Sequence, residues 1–210
     1  IGAAHPRTIA DALALARLQA SQGRLADAAS VLSRAHGVAL RAAGKRKASA
    51  ALAAVTLQQG WLGIERGELQ SARAAFQEVT RIASVLGGAQ TIRRASSQAG
   101  AAMVALRQDN LEDAEKFARD AAAMGGDVPG GVQITSLAKV VASAVAARRG
   151  DLSAATAQAK AALSAIEGRF GADHLASLDL LETLGGLWLH AGQPREAVVY
   201  MEQARSLSTT

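Results

Sequence analysis

The side chains able to do chemistry are few, and their spacing does not assemble them. The four histidines are His5, His36, His174 and His190. None has a ligand-type residue four positions away, so the paired imidazoles of a zinc hydrolase are absent. His5 and His174 fall instead in short segments that open helices. Glu112, Asp113 and Glu115 form an acidic group, but it occupies the first turn of a helix, where negative charge complements the macrodipole. No second carboxylate accompanies it to make an acid/base pair. Gly125 to Gly131 has the glycine content of a phosphate loop without the Gly-Lys-Ser/Thr ending that would place a cation and a hydroxyl on phosphate. No Gly-x-Ser-x-Gly elbow occurs, and there is no cysteine for a disulfide or a thiolate metal site. The chain is therefore expected to be no enzyme and to use no metal or cofactor.

Charge and hydropathy narrow the classes further. The 23 basic residues outnumber the 18 acidic ones, for a formal charge of +5. The basic pairs Arg46–Lys47, Arg93–Arg94 and Arg148–Arg149 are scattered, and aromatics make up only 3%. Nucleic-acid binders concentrate such charge and interleave aromatics for stacking, so the pairs read as solvated helix ends and nucleic acid is not an expected partner. The longest uncharged stretch, Ala48–Ile64, has 17 residues and includes Thr56, Gln58, Gln59 and Gly60. That is short and polar for a membrane span. No signal peptide is visible, and a cytoplasmic location is expected.

The elements are helices. Alanine, the best helix former, dominates the composition, while β-branched and aromatic residues are too sparse for a sheet-based core. Short turns recur at Gln22-Gly23-Arg24-Leu25, Arg66-Gly67-Glu68-Leu69, Gln108-Asp109-Asn110-Leu111, Arg149-Gly150-Asp151-Leu152 and Ala191-Gly192-Gln193-Pro194. Their second residues are spaced by 44, 42, 41 and 42 positions. Five residues after each stands alanine: Ala28, Ala72, Ala114, Ala155 and Ala197. Seven before are Ala16, Gly60, Ala102, Ser143 and Gly185; twelve after are Ala35, Val79, Ala121, Ala162 and Ala204. Small residues at fixed distances on both sides of a turn mark the crossing of two antiparallel helices.

The register predicts first helices over Thr8–Gln22, Lys47–Arg66, Thr91–Gln108, Gln133–Arg149 and His174–His190. Second helices follow over Leu25–Ala43, Leu69–Leu86, Leu111–Met124, Leu152–Phe170 and Arg195–Leu207. The repeats run approximately over 6–44, 45–88, 89–131, 132–171 and 172–210, as a single architecture without a dividing linker.

These repeats resemble tetratricopeptide repeats of the longer, kinesin-light-chain-like form also found in bacterial regulators. Repeat five carries Leu181, Leu184, Gly185, Trp188, Gly192, Ala197, Met201 and Ala204 at the packing positions of that pattern. His5-Pro6-Arg7-Thr8 resembles the opening of the subgroup, and Phe170-Gly171-Ala172-Asp173-His174 echoes it. The resemblance implies an all-α, right-handed α-solenoid of five helix-turn-helix units whose first helices line a concave face. It also implies a non-catalytic scaffold holding a partner segment there, as part of a larger, bacterial protein.

By the register of that family the groove residues lie ten, six, three and two positions before each turn. In repeat two these are Leu57, Trp61, Ile64 and Glu65. Repeat three gives Ala99, Met103, Leu106 and Arg107, and repeat four Val140, Ala144, Ala147 and Arg148; Arg17 and Glu182 lie at the ends. Trp61, Met103 and Leu106 would make an apolar floor and Arg107 and Arg148 a charged rim, suited to a protein or peptide with apolar and acidic residues. Trp188 falls in the hairpin core instead. The asparagines or lysines with which related arrays grip a peptide are missing; the single asparagine, Asn110, lies in a turn.

An alternative from another class is a peptide-sensing regulatory domain that controls an attached kinase or transcription factor. It would change compactness on binding a short peptide. The ends also carry an expectation. Ile1-Gly2-Ala3-Ala4-His5-Pro6 reads like the exit of a preceding repeat, and Val198, Val199 and Tyr200 lie on a helix with no polar cap after it. Either further chain or end-to-end self-association through the Arg195–Leu207 helix is expected.

Overall fold

The structure, a computed structural model, describes residues 6–126, 128–172 and 174–208. Among them are ten α-helices: α1 (Pro6–Ser21), α2 (Leu25–Ala43), α3 (Ala50–Glu65), α4 (Leu69–Leu86), α5 (Thr91–Arg107), α6 (Leu111–Gly125), α7 (Gly131–Arg148), α8 (Leu152–Phe170), α9 (Leu175–His190) and α10 (Pro194–Ser208), of which α1 packs on α2, α3 on α4, α7 on α8 and α9 on α10. The chain forms two compact units, Ile1–Val104 and Ala105–Thr210, and the division falls inside α5.

Each tight turn is made the same way, for a local reason. The second residue after the first helix adopts the left-handed conformation: Gly23 at φ 74°, Gly67 at 74°, Gly150 at 84° and Gly192 at 74°. Asp109 takes that role at φ 60°, a conformation that aspartate tolerates better than most side chains. The next residue's N–H then reaches back to a carbonyl five positions earlier. These bonds are Arg24 to Gln19 at 2.8 Å, Glu68 to Gly63 at 2.8 Å, Asn110 to Ala105 at 2.9 Å, Asp151 to Ala146 at 3.0 Å and Gln193 to Trp188 at 3.0 Å. This is the Schellman closure, which satisfies carbonyls that the ending helix leaves open. Side chains cap the following helices at two of these turns: Asn110 Oδ1 accepts from the Asp113 N–H, and Asp151 Oδ1 from the Ala154 N–H.

Helix limits match the register within a few residues, and the departures have causes. α3 starts at Ala50 rather than Lys47, because Gly44–Arg46 forms a 3₁₀ turn, Lys47 is left-handed at φ 45°, and Ser49 Oγ caps the helix through the Leu52 N–H at 3.1 Å. α7 begins at Gly131, where the Gly125 carbonyl leaves no room for a Cβ. Pro194 stands at the first position of α10, where its missing N–H costs nothing.

Packing follows the small residues. Ala28, Ala72, Ala114, Ala155 and Ala197 are all fully buried. In unit 1 a Cβ on Gly63 would touch the Ala72 Cβ at 3.1 Å. The Phe76 ring sits between Gly60 and Gly100, where a Cβ on either would overlap it. In unit 2 Trp188 is 1% exposed and stacks on Tyr200 with centroids 6.3 Å apart, so its register assigns it to the core correctly. Gly100→Ala should therefore lower stability by about 1–3 kcal/mol through overpacking. Gly168→Ala, at an exposed helical site with nothing within 4 Å of a new Cβ, should leave it unchanged or raise it. Denaturant midpoints of the two variants make the comparison.

Candidate interaction surface

In unit 1, α3 is buried over most of its circumference by Leu52, Ala53, Val55, Thr56, Gly60, Leu62, Gly63 and Ile64. One stripe remains open, at spacings of four: Leu57 and Trp61, both half-buried, and Glu65, exposed. Trp61 meets Phe76 edge-on, with centroids 5.3 Å apart and planes at 70°. That contact fixes the indole while part of it stays accessible. Beside the stripe, Arg17 of α1 donates from Nε to Gln58 Oε1 at 3.0 Å.

Glu65 has no ion-pair partner among the described residues, and burial holds its carboxyl above the ordinary value of 4.5. The apolar neighbours of the stripe desolvate the carboxylate without supplying a cation.

The remaining expected groove residues divide. Ile64, Met103, Leu106 and Val140 are 5%, 5%, 0% and 0% exposed, so they belong to the packed interior and form no open floor. Ala99, Ala144 and Ala147 are buried with them. Small residues are buried on the same helices: Ala99, Gly100 and Ala102 on α5, and Ala138, Ser143 and Ala144 on α7, which lets neighbours pack closely. Arg107 and Glu182 are exposed. Arg148 in unit 2 is engaged within its own unit, donating from Nη1 to Asp109 Oδ1 at 2.6 Å and to the Leu106 carbonyl at 3.2 Å. It is not the free rim cation that the register suggests. Gln58 was missed by the groove register, although its i+1 position beside Leu57 is readable in the sequence.

The groups with chemical potential have structural partners. Glu115 bridges Arg119 at 3.0 Å and Arg149 at 2.9 Å, and Asp113 accepts from Asn110 Nδ2 at 2.8 Å. His174 caps α9, its Nδ1 accepting from the Ala176 N–H at 3.0 Å, and its ring stacks on Phe170. His5 lies outside the described residues, as do Asp127 and Asp173. Gly125 to Gly131 joins α6 to α7 as an inter-repeat connection. Among the described residues no group of three or more His, Cys, Asp or Glu could hold a metal, and no helix is long and apolar enough to cross a membrane. An open pocket of about 290 Å³ lies between α2, α3 and α4, with the Arg66–Glu68 ion pair at 2.7 Å on its border. It lies at the small end for a ligand site.

No protein-family model matches the chain, and no curated protein matches it in sequence. Solved structures do. The crystal structure of BtubC (BKLC) from P. vanneervenii is 18% identical, aligned over 97% of this chain and 81% of that one, with a TM-score of 0.66. A putative kinesin light chain from Podosopora anserina with nearly identical TPR-like repeats is 17% identical over 97% and 96%, with a TM-score of 0.59. A point variant of that same protein gives 17%, 97% and 95%, and 0.61. The chain has the fold of these proteins: an all-α array of tetratricopeptide-like repeats.

The stripe yields a pH test. A carboxyl whose folded pKa is raised adds its stabilising share only below the ordinary value, and the share is lost as pH rises through the interval above 4.5. Glu65→Gln should therefore be more stable than the parent at neutral pH, and the difference should vanish at about pH 4. Urea midpoints at the two pH values decide it.

Proposed function

We propose that the chain is a non-catalytic scaffold that holds a segment of another protein on the open face of α3, centred on Leu57, Trp61 and Glu65. The observation that carries this reading is Trp61. It is a large aromatic residue, locked edge-on by Phe76, yet it keeps part of its surface in solvent on a helix otherwise buried. Aromatic anchors of this kind dominate binding energy because they bury large area at little conformational cost. The tetratricopeptide-like fold supports the reading, since such arrays resemble modules that hold partner segments along their first helices.

The partner's chemistry follows from the stripe. An apolar side chain packs on Leu57 and Trp61. A lysine or arginine of the partner supplies the cation that Glu65 lacks, beside an indole face that also attracts cations. The acidic residues expected of a partner have a counterpart in Arg107, taken by itself in unit 2, and not in Arg148, which Asp109 already neutralises.

Peptides selected from a random display library against the immobilised chain should share an apolar residue next to a basic one. Trp61→Ala should weaken the best of them by at least about tenfold, and Glu65→Gln should weaken only those with the basic residue. Lys160→Ala, on α8, serves as the unaffected control. Selected peptides that bind Trp61→Ala as tightly as the parent would contradict the proposal.

A further inference from the structure

Cations that are scattered in the sequence gather at one edge of unit 1. That unit holds 13 of the 23 basic residues and 5 of the 18 acidic ones. α2 ends at Ala43, and the 3₁₀ turn Gly44–Arg46 then leads into Lys47. Arg41, Lys45, Arg46 and Lys47 are all exposed there. α4 reaches the same turn, where Arg81 donates from Nη2 to the Lys47 carbonyl at 2.9 Å. The 3.0 Å hydrogen bond between Thr80 Oγ1 and Ser97 Oγ sets the start of α5 alongside the end of α4, and so adds Arg94, also exposed. Glu78, the acidic residue of α4, is taken by Arg81 through two bonds of 2.7 Å. Arg41, Lys45, Arg46, Lys47 and Arg94 have no ion-pair partner among the described residues.

Large aliphatic side chains stand among these cations. Leu40, in the last turn of α2, is 38% exposed, and Val85 and Leu86, in the last turn of α4, are 54% and 37% exposed. Val85 lies four residues after Arg81, hence on the side of α4 that meets the Lys47 turn. Basic residues alone are what the C-terminal ends of helices attract. Clustered with three uncovered aliphatic residues, they fit a surface that is anionic and apolar at once.

We infer that this edge of unit 1 docks on an anionic bilayer surface. Lys45, Arg46, Lys47 and Arg94 meet the headgroup phosphates and carboxylates, and Leu40, Val85 and Leu86 enter the shallow acyl boundary. The occupant follows from that pairing. A polynucleotide would satisfy the cations and leave the aliphatic residues in water, and none of residues 40–47, 81–86 or 91–94 is aromatic and able to stack on a base. A bilayer takes both kinds of side chain, since interfacial binding adds buried apolar area to attraction for anionic lipid. Each cation near such a surface is worth roughly fivefold in partitioning. The edge lies at the start of α3, and the Leu57–Trp61–Glu65 stripe runs toward its end, so the scaffold can hold its partner segment while it rests on the membrane.

The test is co-sedimentation of the 210-residue chain with vesicles of phosphatidylcholine alone, and of phosphatidylcholine with about 30% phosphatidylserine, in about 0.1 M salt. The chain should pellet with the anionic vesicles only. Lys45→Glu with Arg46→Glu should cut partitioning at least about tenfold. Lys116→Glu with Lys160→Glu, the same charge change at exposed sites in unit 2, should cut it less than about threefold. Val85→Ser with Leu86→Ser, which leaves the charge untouched, should weaken it by about threefold or more. Circular dichroism confirms that each variant is helical. A parent that does not partition onto the anionic vesicles overturns the inference, and so do equal losses from the two charge reversals. A serine pair without effect, with duplex DNA bound through Lys45 and Arg46, overturns it in favour of nucleic acid.

Discussion

Two helices can approach only as closely as the side chains between them allow, and in this chain that limit is set by residues with almost no side chain. Ala72 against Gly63, and the Phe76 ring received by Gly60 and Gly100, bring backbones together at points where any added carbon would collide. An alanine contributes little apolar area of its own, so cohesion comes from many close contacts between backbones and from the few large residues that small neighbours accommodate. Phe76 and Trp188 are such residues, one in each unit.

The same closeness decides what remains at the surface. Where the helices carry alanine and serine, as on α7, neighbours cover the first helix so fully that Val140 has no exposure. On α3 Trp61, in edge-on contact with Phe76, is only half-buried.

The architecture was readable from residues because its determinants are local. A left-handed residue after each first helix is a demand on one position, and four glycines and Asp109 meet it at a nearly constant period. Small residues at fixed offsets then reveal the crossing. The proposed face was readable only in part. Register identifies which side of a helix looks outward in an idealised array, and on that side of α3 Leu57 and Trp61 are half-buried. It says nothing of how far neighbours close, which is why Met103 and Leu106 look like floor residues in sequence and are buried in the fold. Arg148 was misread for a related reason: its partner Asp109 is 39 residues away, and only the folded turn brings them to 2.6 Å.

Positions that are equivalent in register are closed in one hairpin and open in another. Since the chain has no cysteine, a single introduced thiol reports on it without interference. Leu18 and Leu62 are the same residue type at the same register position, 55% and 4% exposed. Thiol-labelling rates of Leu18→Cys and Leu62→Cys, measured at low protein concentration, test the claim most directly. The account predicts rapid labelling at 18 and labelling at 62 slowed by orders of magnitude, to the rate at which the structure opens. Equal rates at the two positions would contradict it.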